Sequence, residues 1–298
     1  MVQLSIIVLA YNHQDFIGKN LDGIFMQDFQ GEIELIICND ASTDDTDSVI
    51  RQKIAEAPAN FNVKYFSHPQ NIGATPNFYF ALKQATGKYL AFCEGDDYWT
   101  DPEKLSVQTS FLDQNPNCAL TFHQVTNVSP HPEYDGKIFA PVEDREYSAE
   151  EIYRHWTIHT ASVVMRRDVL ESEAFKKTLQ DPKLLYFDTI LFLAASTTGK
   201  LYGISRTMSA YRRHEQGISF GFNLNKDLVH NILDQTIGNY HRGKIKSIAD
   251  WQIFTRSRIG YQSALKNRDF TTAFKFIIWI LKKYKILRIY LMKKWQQK

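Results

Sequence analysis

The sequence contains few cysteines, the residues that cross-link small secreted domains and bind zinc in small zinc-binding domains. Only three of its 298 residues are cysteine, Cys38, Cys93 and Cys118, and no two of them form a CxxC pair. We therefore predict small buried side chains in a reducing compartment, and we exclude a disulfide framework and a zinc site. The chain also lacks internal repeats and low-complexity tracts.

Long apolar runs are also missing. The nearest candidate for a membrane span, residues 276–292, is interrupted by four basic side chains, so we predict no transmembrane helix. The apolar run at residues 4–10 is short, has no basic leader and continues directly into Tyr11, which is not typical of a signal peptide. We therefore expect a cytoplasmic protein.

Acidic residues are absent from the C-terminal end. Residues 271–298 contain eight Lys or Arg and no acid, and subtracting these eight from 35 leaves 27 basic against 33 acidic residues, about −6 for residues 1–270. A nucleic-acid-binding protein more often spreads positive charge over its folded face, so we predict no nucleic-acid partner. Aromatic, aliphatic and lysine residues alternate at helical spacing here, which is typical of a helix at an anionic membrane surface. A helix packed on the rest of the protein, or a dimer contact, would give the same pattern.

Short apolar runs alternate with helical patterns through residues 1–125. The runs at residues 4–10 and 34–38 predict strands that are buried on both faces, and residues 63–66 and 89–93 predict two more. Helical spacing between these runs completes a β-α-β-α-β-α-β order. This order predicts an α/β protein with a doubly wound, mainly parallel sheet flanked by helices.

The second half of the chain has a weaker pattern. Residues 126–160 predict irregular structure, residues 160–166 and 200–204 predict strands, and residues 186–195 predict a helix. After Gly217 the pattern is helical. We predict one domain over residues 1–222, with halves 1–125 and 126–222, followed by a region of about three helices at residues 223–298 that is basic at its end.

The most informative stretch is residues 92–99, where three carboxylates fall within four positions directly after an apolar run. Glu94, Asp96 and Asp97 would repel one another at the end of a strand. A divalent cation removes that repulsion, and carboxylate oxygens suit Mn²⁺ or Mg²⁺, which often bind substrate phosphates as well. The stretch predicts a site for a metal and a diphosphate. The alternative is an acidic loop that caps the helix beginning near Asp101.

The position of these acids in the predicted sheet favours a ligand site. Ligands of doubly wound sheets bind beyond the carboxyl ends of the strands. Tyr11, Asp40 and residues 94–97 each follow a predicted strand, so all three fall at this edge.

Several further motifs occur in a specific order. They are residues 5–12 (SIIVLAYN), 39–46 (NDASTDDT), 71–73 (NIG) with Asn77, 85–90 (ATGKYL), 94–97 (EGDD) followed by Trp99, Pro102, Lys104 and Leu105, 187–188 (FD) and 211–214 (YRRH). In this order they resemble the family 2 glycosyltransferases, nucleotide-sugar-dependent enzymes of the GT-A fold. The resemblance covers about residues 4–219. The chain departs from the family at Glu94 and Asn39, where Asp is common, and at Ala41, where Gly is common.

The resemblance implies a set of site residues. The implied sugar-nucleotide contacts are Ala10, Tyr11, Asn12, Asp40, Asn71, Asn77, Glu94, Gly95, Asp96, Arg212 and His214. The implied ligands of a Mn²⁺ or Mg²⁺ ion at the DXD position are Asp96, Asp97 and His214. Asp188 is the implied general base, and residues 159–162 resemble the acceptor-facing strand.

Most of these residues also have a plainer interpretation. Asp40 suits a uracil N–H but also an Asx turn, and Tyr11 suits base stacking but also a packed rim. Asp97 and Asp188 each suit the cap of a following helix. His214 suits a solvated basic loop as well as a metal or diphosphate site.

Together, the motifs predict an inverting, metal-dependent glycosyltransferase. It would transfer a sugar from a UDP-sugar to a hydroxyl of a saccharide or lipid-linked saccharide, in surface polysaccharide or glycan synthesis. The alternatives are a catalytically degenerate sugar-nucleotide-binding module and a nucleotidyltransferase-like enzyme, which would want a Gly-rich basic loop where this chain has residues 11–15 (YNHQD). The protein would lie in the cytoplasm or at the inner face of the membrane, with peripheral contact through residues 271–298, and an oligomer is compatible with the sequence.

Overall fold

Residues 2–178, 187–215, 217 and 223–296 are described by a computed structural model of the chain. They divide into two compact units. The first unit runs to Lys176 and resumes at Phe187, and the second contains the C-terminal helices. Two predicted boundaries lie outside the described ranges. They are Tyr186, where the predicted helix at 186–195 begins, and residue 222, where the predicted first domain ends.

One mixed sheet organises the first unit, and its first half is parallel. The strands of this half are β1 (Leu4–Ala10), β2 (Ile33–Asn39), β3 (Phe61–Ser67) and β4 (Tyr89–Phe92), and the helices between them are α1 (Ile17–Phe25), α2 (Thr46–Ile54) and α3 (Ala74–Gln84). β1 pairs in parallel with β2 and β4, and β2 with β3. The predicted β-α-β order is confirmed, and the carboxyl ends of β1, β2 and β4 come to one edge.

The second half of the sheet contains antiparallel strands. Its elements are β5 (Tyr98–Trp99), α4 (Lys104–Gln114), β6 (Cys118–Val128), β7 (Arg145–Tyr147), α5 (Ala149–His155), β8 (Val164–Arg166), α6 (Glu173–Thr178), α7 (Phe187–Thr198) and β9 (Lys200–Arg212). Across the described sheet the order is β3-β2-β1-β4-β8-β6-β9-β5, with β7 paired to β9. β8 is antiparallel to β4 and β6, whereas β9 is parallel to β6. The predicted α/β class with a mainly parallel, helix-flanked sheet is thus confirmed.

Helices cover the sheet on both sides, which explains the continuous apolar strands. From β1, Ile6 packs on one face in a cluster with Leu21 of α1. Ile7 points the other way and joins a cluster with Phe78 of α3. Successive strand residues face opposite sides, so a strand between two helix layers favours apolar residues at consecutive positions. The three cysteines are free and buried, as predicted.

Two strands were missed or predicted too short because polar residues interrupt their apolar pattern. β6 was not predicted, and it carries the buried polar residues Thr121, His123 and Asn127. It also extends to Val128 and is followed by β7 and α5, so the prediction of irregular structure over 126–160 was wrong in those parts. β9 was predicted only over residues 200–204, and its register against β6 shifts where bulges occur. The predicted strand at 160–166 is a 3₁₀ turn (Thr160–Ser162) followed by β8.

The second unit is helical, with four described helices where about three were predicted. They are α8 (Leu224–Tyr240), α9 (Gly243–Lys266), α10 (Phe270–Lys282) and α11 (Tyr284–Gln296). α9 and α10 approach closely, since a Cβ at Gly260 would lie 2.5 Å from the ring of Phe276. Among the described residues, no helix combines the length and the apolar character that crossing a bilayer requires.

Lys104, at the start of α4, is fully buried. Its Nζ donates to Oε1 of Gln108 at 2.9 Å and lies 4.3 Å from the centre of the Trp99 ring. Burial lowers the pKa of Lys104 to about 7. Because this pKa lies below the unfolded value of 10.5, unfolding takes up a proton, and Lys104 destabilises the protein progressively as pH falls from about 10.5 to about 7.

We expect Lys104→Met to be more stable than the wild type at pH 7, by on the order of 1 kcal/mol or more. The difference in free energy of unfolding should shrink as pH rises from 7 to 10, because the lysine of the unfolded chain also begins to lose its proton near pH 10.5, so folding no longer has to remove it. Urea unfolding at several pH values measures this difference. Lys83→Met, at an exposed position of α3, is the matched control. Parallel pH profiles for wild type and Lys104→Met would contradict the prediction.

Candidate active site

The loops after β1 and β2 hold one another by reciprocal hydrogen bonds. The N–H of Asn12 donates to Oγ of Ser42 at 2.9 Å, and the N–H of Thr43 donates back to Oδ1 of Asn12 at 2.8 Å. Asn12 and Ala41 both adopt left-handed backbone conformations, with φ of 55° and 56°. A left-handed alanine costs about 1–2 kcal/mol, which explains why glycine would suit position 41. The carbonyl of Ala10 accepts the N–H of Asp40 at 2.9 Å.

Asp40 fastens the loop that precedes α3. Its two carboxylate oxygens accept the N–H groups of Ile72 and Gly73 at 2.8 and 2.9 Å, and Oδ1 of Asn71 also accepts from Gly73. These bonds reach a distant loop, so Asp40 does not form the local Asx turn given as its alternative. Tyr11 is exposed at the end of the neighbouring strand. An exposed ring and a fixed carboxylate therefore lie at adjacent strand ends.

Asn77 is buried below this edge. Its amide donates to the carbonyl of Cys38 at 3.2 Å, and its Oδ1 bonds Nε2 of His68 at 2.9 Å. Both polar atoms of the Asn77 side chain therefore bond to protein groups. Asn77 supports the end of β2.

The acidic loop is anchored by Asn20, a residue that the sequence motifs did not indicate. The buried Nδ2 of Asn20 lies 2.8 Å from the carbonyl of Glu94, 2.9 Å from that of Asp97 and 3.2 Å from Sγ of Cys93. Asn20 is three residues after Ile17 on the apolar face of α1. A polar residue on that face was the signal that would have found it, because buried amides need partners.

Gly95 is fixed by close packing. A Cβ at this position would lie 2.7 Å from Nδ1 of His13 and 2.9 Å from the carbonyl of Leu9. The N–H of Gly95 donates to that same carbonyl at 2.8 Å. The glycine therefore lets the acidic loop lie directly against the end of β1.

We expect Asn20→Ala to lower the free energy of unfolding by about 2–4 kcal/mol, because it leaves buried carbonyls without a donor. It should also weaken Mn²⁺ binding, since the acidic loop loses its anchor. Denaturant unfolding and a Mn²⁺ titration measure the two effects. Asn62→Ala, at an exposed position of β3, is the control. Unchanged stability in Asn20→Ala would contradict the anchoring role.

The three acids of the loop have different pKa values. Burial and the charges of Asp96 and Asp188 raise the pKa of Glu94 to about 8. Burial and the charges of Asp96 and Glu94 raise the pKa of Asp97 well above its ordinary value. Burial also acts to raise the pKa of Asp96, but the hydrogen bond from His214 and the positive charge of His13 outweigh it and leave this pKa lowered. At neutral pH Glu94 thus keeps its proton in most molecules, because protonation relieves the repulsion between crowded carboxylates.

Asp96 and His214 form the accessible pair of this cluster. Nε2 of His214 lies 3.1 Å from Oδ2 of Asp96, and the two side chains are 14% and 20% exposed. The ring of Phe16 packs on His214 at 4.7 Å between centroids, and Arg212 donates from its guanidinium to the carbonyl of Asp96 at 2.5 Å. The pair thus offers one carboxylate oxygen and one imidazole nitrogen, both partly exposed, and the carboxylate oxygen is the donor that suits Mn²⁺ or Mg²⁺.

Asp97 is more deeply buried than Asp96. Its Oδ1 accepts the N–H of Arg212 at 2.8 Å, which ties the acidic loop to the end of β9. Asp97 does not cap α4, which begins at Lys104. The solvated-loop interpretation does not describe His214 either, because its ring is mostly buried and bonded to Asp96.

A second group with metal-ligand spacing consists of Glu94, Asp97 and His159, whose ligand atoms lie within 4.8 Å of one another. Nδ1 of His159 accepts the N–H of Ala161 at 3.2 Å, and burial lowers the pKa of His159 to about 4. The neutral ring therefore carries its proton on Nε2, which lies 3.6 Å from Oδ2 of Asp97. In this tautomer Nε2 has no lone pair for a metal, and the same holds for Nε2 of His214 while it donates to Asp96. The pair of Asp96 and His214 is favoured as the cation site because its side chains are 20% and 14% exposed, against 3% and 10% for Asp97 and His159.

Asp188 lies in the first turn of α7, near this cluster. Its Oδ1 accepts the N–H of Thr189 at 2.6 Å. Because α7 already includes Phe187, Asp188 lies within the helix and does not cap it. Burial raises the pKa of Asp188, and its charge contributes to the raised pKa of Glu94. The ring of Phe187 stacks on Phe78 at 3.4 Å between centroids and fixes the start of the helix. A proton-accepting carboxylate and the acidic loop therefore share one electrostatic environment.

Comparison with known proteins gives a consistent picture. Residues 5–174 match the family model described as glycosyl transferase family 2. An uncharacterized protein of Mycobacterium tuberculosis is 35% identical over 216 residues, which are 72% of this chain and 60% of that protein. A UDP-Glc:alpha-D-GlcNAc-diphosphoundecaprenol beta-1,3-glucosyltransferase of Escherichia coli is 37% identical over 38% of this chain and 42% of its own length. The chain thus spans less than two thirds of either relative.

A solved structure resembles the fold over most of the chain. It is Staphylococcus aureus TarS 1–349 in complex with UDP-GlcNAc, with a TM-score of 0.70 and 18% identity, covering 94% of this chain and 82% of that one. At this identity the likeness concerns the fold alone. It agrees with the mixed sheet and the C-terminal helices described above.

Proposed function

The chain belongs to glycosyl transferase family 2, and we propose that it transfers a sugar from a UDP-sugar to a saccharide hydroxyl with inversion of the anomeric carbon. The observation that carries this proposal is the acidic loop at the carboxyl edge of the sheet, where Asp96 lies 3.1 Å from His214 and Asp97 accepts the N–H of Arg212. Asp188 acts on the same loop through its charge. A base and a diphosphate site within one region are what glycosyl transfer requires.

The donor nucleotide would bind at the edge formed by β1 and β2. The exposed ring of Tyr11 suits stacking on a base. Asp40 already accepts two backbone N–H groups, and a carboxylate has acceptor sites left for a uracil N–H. Arg212, whose guanidinium bonds the carbonyl of Asp96, adds positive charge where the diphosphate would lie.

Asp96 and His214 would hold the divalent cation, with Glu94 close by. When bound, Mn²⁺ or Mg²⁺ would neutralise the negative charge that develops on the departing diphosphate. The chain itself fixes these donors by three contacts: the Asn20 anchor of the acidic loop, the packing of Phe16 on His214, and the Arg212 bond to the loop.

Asp188 would act as the general base. A partly buried carboxylate with a raised pKa has the proton affinity needed to accept the proton of an acceptor hydroxyl. The oxygen would then attack the anomeric carbon on the face opposite the leaving UDP. One displacement of this kind inverts the configuration at that carbon.

The acceptor would be a growing glycan, and a lipid-linked saccharide suits the proposal. The E. coli relative is named for action on a GlcNAc-diphosphoundecaprenol acceptor, which supports this class of acceptor. We place the reaction in the cytoplasm.

A panel of UDP-sugars tests the proposal. With Mn²⁺ present, the purified protein should slowly hydrolyse at least one UDP-sugar to UDP and free sugar, and EDTA should abolish this reaction. GDP-sugars serve as the matched controls for the base. If no UDP-sugar is bound or hydrolysed with Mn²⁺, the proposed function is wrong.

A further inference from the structure

One face of α10 exposes a stripe of large apolar side chains. Phe270, Phe274 and Leu281 are 69%, 66% and 58% exposed, and Ile278 between them is also exposed. These spacings put all four residues on one side of a helix. The opposite side packs within its own unit through Thr272, Ala273 and Phe276, which are buried. α10 therefore has one face committed to folding and a second apolar face open to solvent.

Positive charge borders this stripe. Lys275 and Lys282 are exposed on α10, and the helical period puts both on the same flank of the stripe. No acidic residue occurs from residue 271 to the end of the chain, where eight are basic. The nearest acid, Asp269, caps the helix by accepting the N–H of Thr272 at 3.0 Å.

We propose that the α10 stripe, formed by Phe270, Phe274, Ile278 and Leu281, docks on a membrane surface that contains anionic lipid. The helix would lie in the plane of the surface, with the apolar side chains at the boundary of the acyl chains and the lysines at the lipid phosphates. Apolar burial and lysine attraction add in this arrangement.

A second copy of the chain fits this stripe less well. A two-fold symmetric contact would bring the same surface of both copies together. When the two α10 helices run antiparallel, the basic flank faces an equally basic flank with no acid from residues 271–298 to compensate. Charge complementarity therefore favours anionic lipid. This inference does not depend on the proposed function, although it would bring the protein to a lipid-linked acceptor.

Vesicle co-sedimentation tests the proposal. The full chain should bind vesicles of phosphatidylcholine and phosphatidylglycerol at a ratio of about 7:3 and should bind phosphatidylcholine vesicles at least about tenfold more weakly. The variant Phe274→Glu/Leu281→Glu should lose at least about 100-fold in affinity for the mixed vesicles, because it removes two apolar anchors and adds negative charge. Lys275→Gln/Lys282→Gln should lose about tenfold or more, and more at low salt than at high salt.

The matched control is Ile259→Glu/Leu265→Glu, which makes the same charge change at two exposed apolar residues of α9. Its affinity for the mixed vesicles should stay within about threefold of the wild-type affinity, a margin that includes the small electrostatic cost of the two added negative charges. Equal binding of wild type and Phe274→Glu/Leu281→Glu would overturn the proposal. A wild type that binds neither kind of vesicle would also overturn it. If light scattering then shows wild-type dimers that Phe274→Glu/Leu281→Glu abolishes, the stripe is a contact with a second copy of the chain.

UDP-sugar hydrolysis without vesicles separates this proposal from the proposed function. The α10 variants should hydrolyse the donor at the wild-type rate. If the wild type does not hydrolyse any UDP-sugar but binds anionic vesicles through α10, the proposed function fails and the docking surface stands.

Discussion

Asp188→Asn is expected to lower sugar transfer by about 10²–10⁴-fold, the usual contribution of a positioned general base. Asparagine has the size of aspartate, and its Oδ1 can still accept the N–H of Thr189 that Asp188 accepts in the wild type. The start of α7 should therefore persist, while the side chain can no longer accept a proton. The turnover number with saturating donor and acceptor measures this effect. UDP affinity, measured by calorimetry, should stay within about threefold because Asp188 makes no proposed contact with the nucleotide.

The pH profile provides a second readout of the same residue. Because burial raises the pKa of Asp188, the wild-type rate should fall as the pH drops through that raised value, and Asp188→Asn should lack this acidic limb. Asp168→Asn replaces an exposed aspartate of the same unit and should keep both rate and profile. Asp188→Asn activity above a tenth of wild type, or a rate loss fully explained by weaker UDP binding, would contradict the role as base.

Asp96→Asn is expected to abolish the response to Mn²⁺ and to lower donor hydrolysis by at least about 10²-fold, because a cation supplies several kcal/mol of charge stabilisation. Asp96 and His214 are the partly exposed oxygen and nitrogen donors of the cluster, 3.1 Å apart. Removing the negative charge of one donor should weaken the site far more than it changes the fold. A Mn²⁺ titration followed by electron paramagnetic resonance measures the affinity, and Asp28→Asn at an exposed position is the control.

Asp97→Asn separates the two possible cation sites. Asp97 is buried and accepts the N–H of Arg212, so we expect a lower melting temperature with a smaller loss of Mn²⁺ affinity than in Asp96→Asn. The opposite order, with Mn²⁺ binding lost in Asp97→Asn and kept in Asp96→Asn, would assign the cation to the group of Glu94, Asp97 and His159.

Strands buried on both faces were predictable from sequence, as were the acids that follow them. β1 and β2 are continuous apolar runs because helices cover both sides of the sheet, and such runs have few alternative structures. The acids after β4 were noticeable in the sequence because like charges crowded at a strand end repel one another unless something neutralises them. Their location at one edge with Asp40 then followed from the parallel order of the strands.

Contacts between distant segments were not predictable in the same way. Asn20 reaches the acidic loop across more than seventy positions of sequence, and His159 meets Asp97 only after β8 has paired with β4. β6 was missed because its buried polar residues, such as Thr121, find partners in distant segments that a local pattern does not reveal. Ala41, by contrast, was noticeable in the sequence because glycine is common at this position in the family. The structure places Ala41 in a left-handed backbone conformation, which glycine adopts more easily.

The most direct test of the account is a calorimetric titration of UDP into the protein, with Mn²⁺ and with EDTA, for the wild type, Asp96→Asn and Asp188→Asn. We expect binding to the wild type and to Asp188→Asn only with Mn²⁺, and none to Asp96→Asn under either condition. UDP that binds equally well in EDTA, or that binds Asp96→Asn as tightly as the wild type, would contradict a cation and a nucleotide held together by the acidic loop.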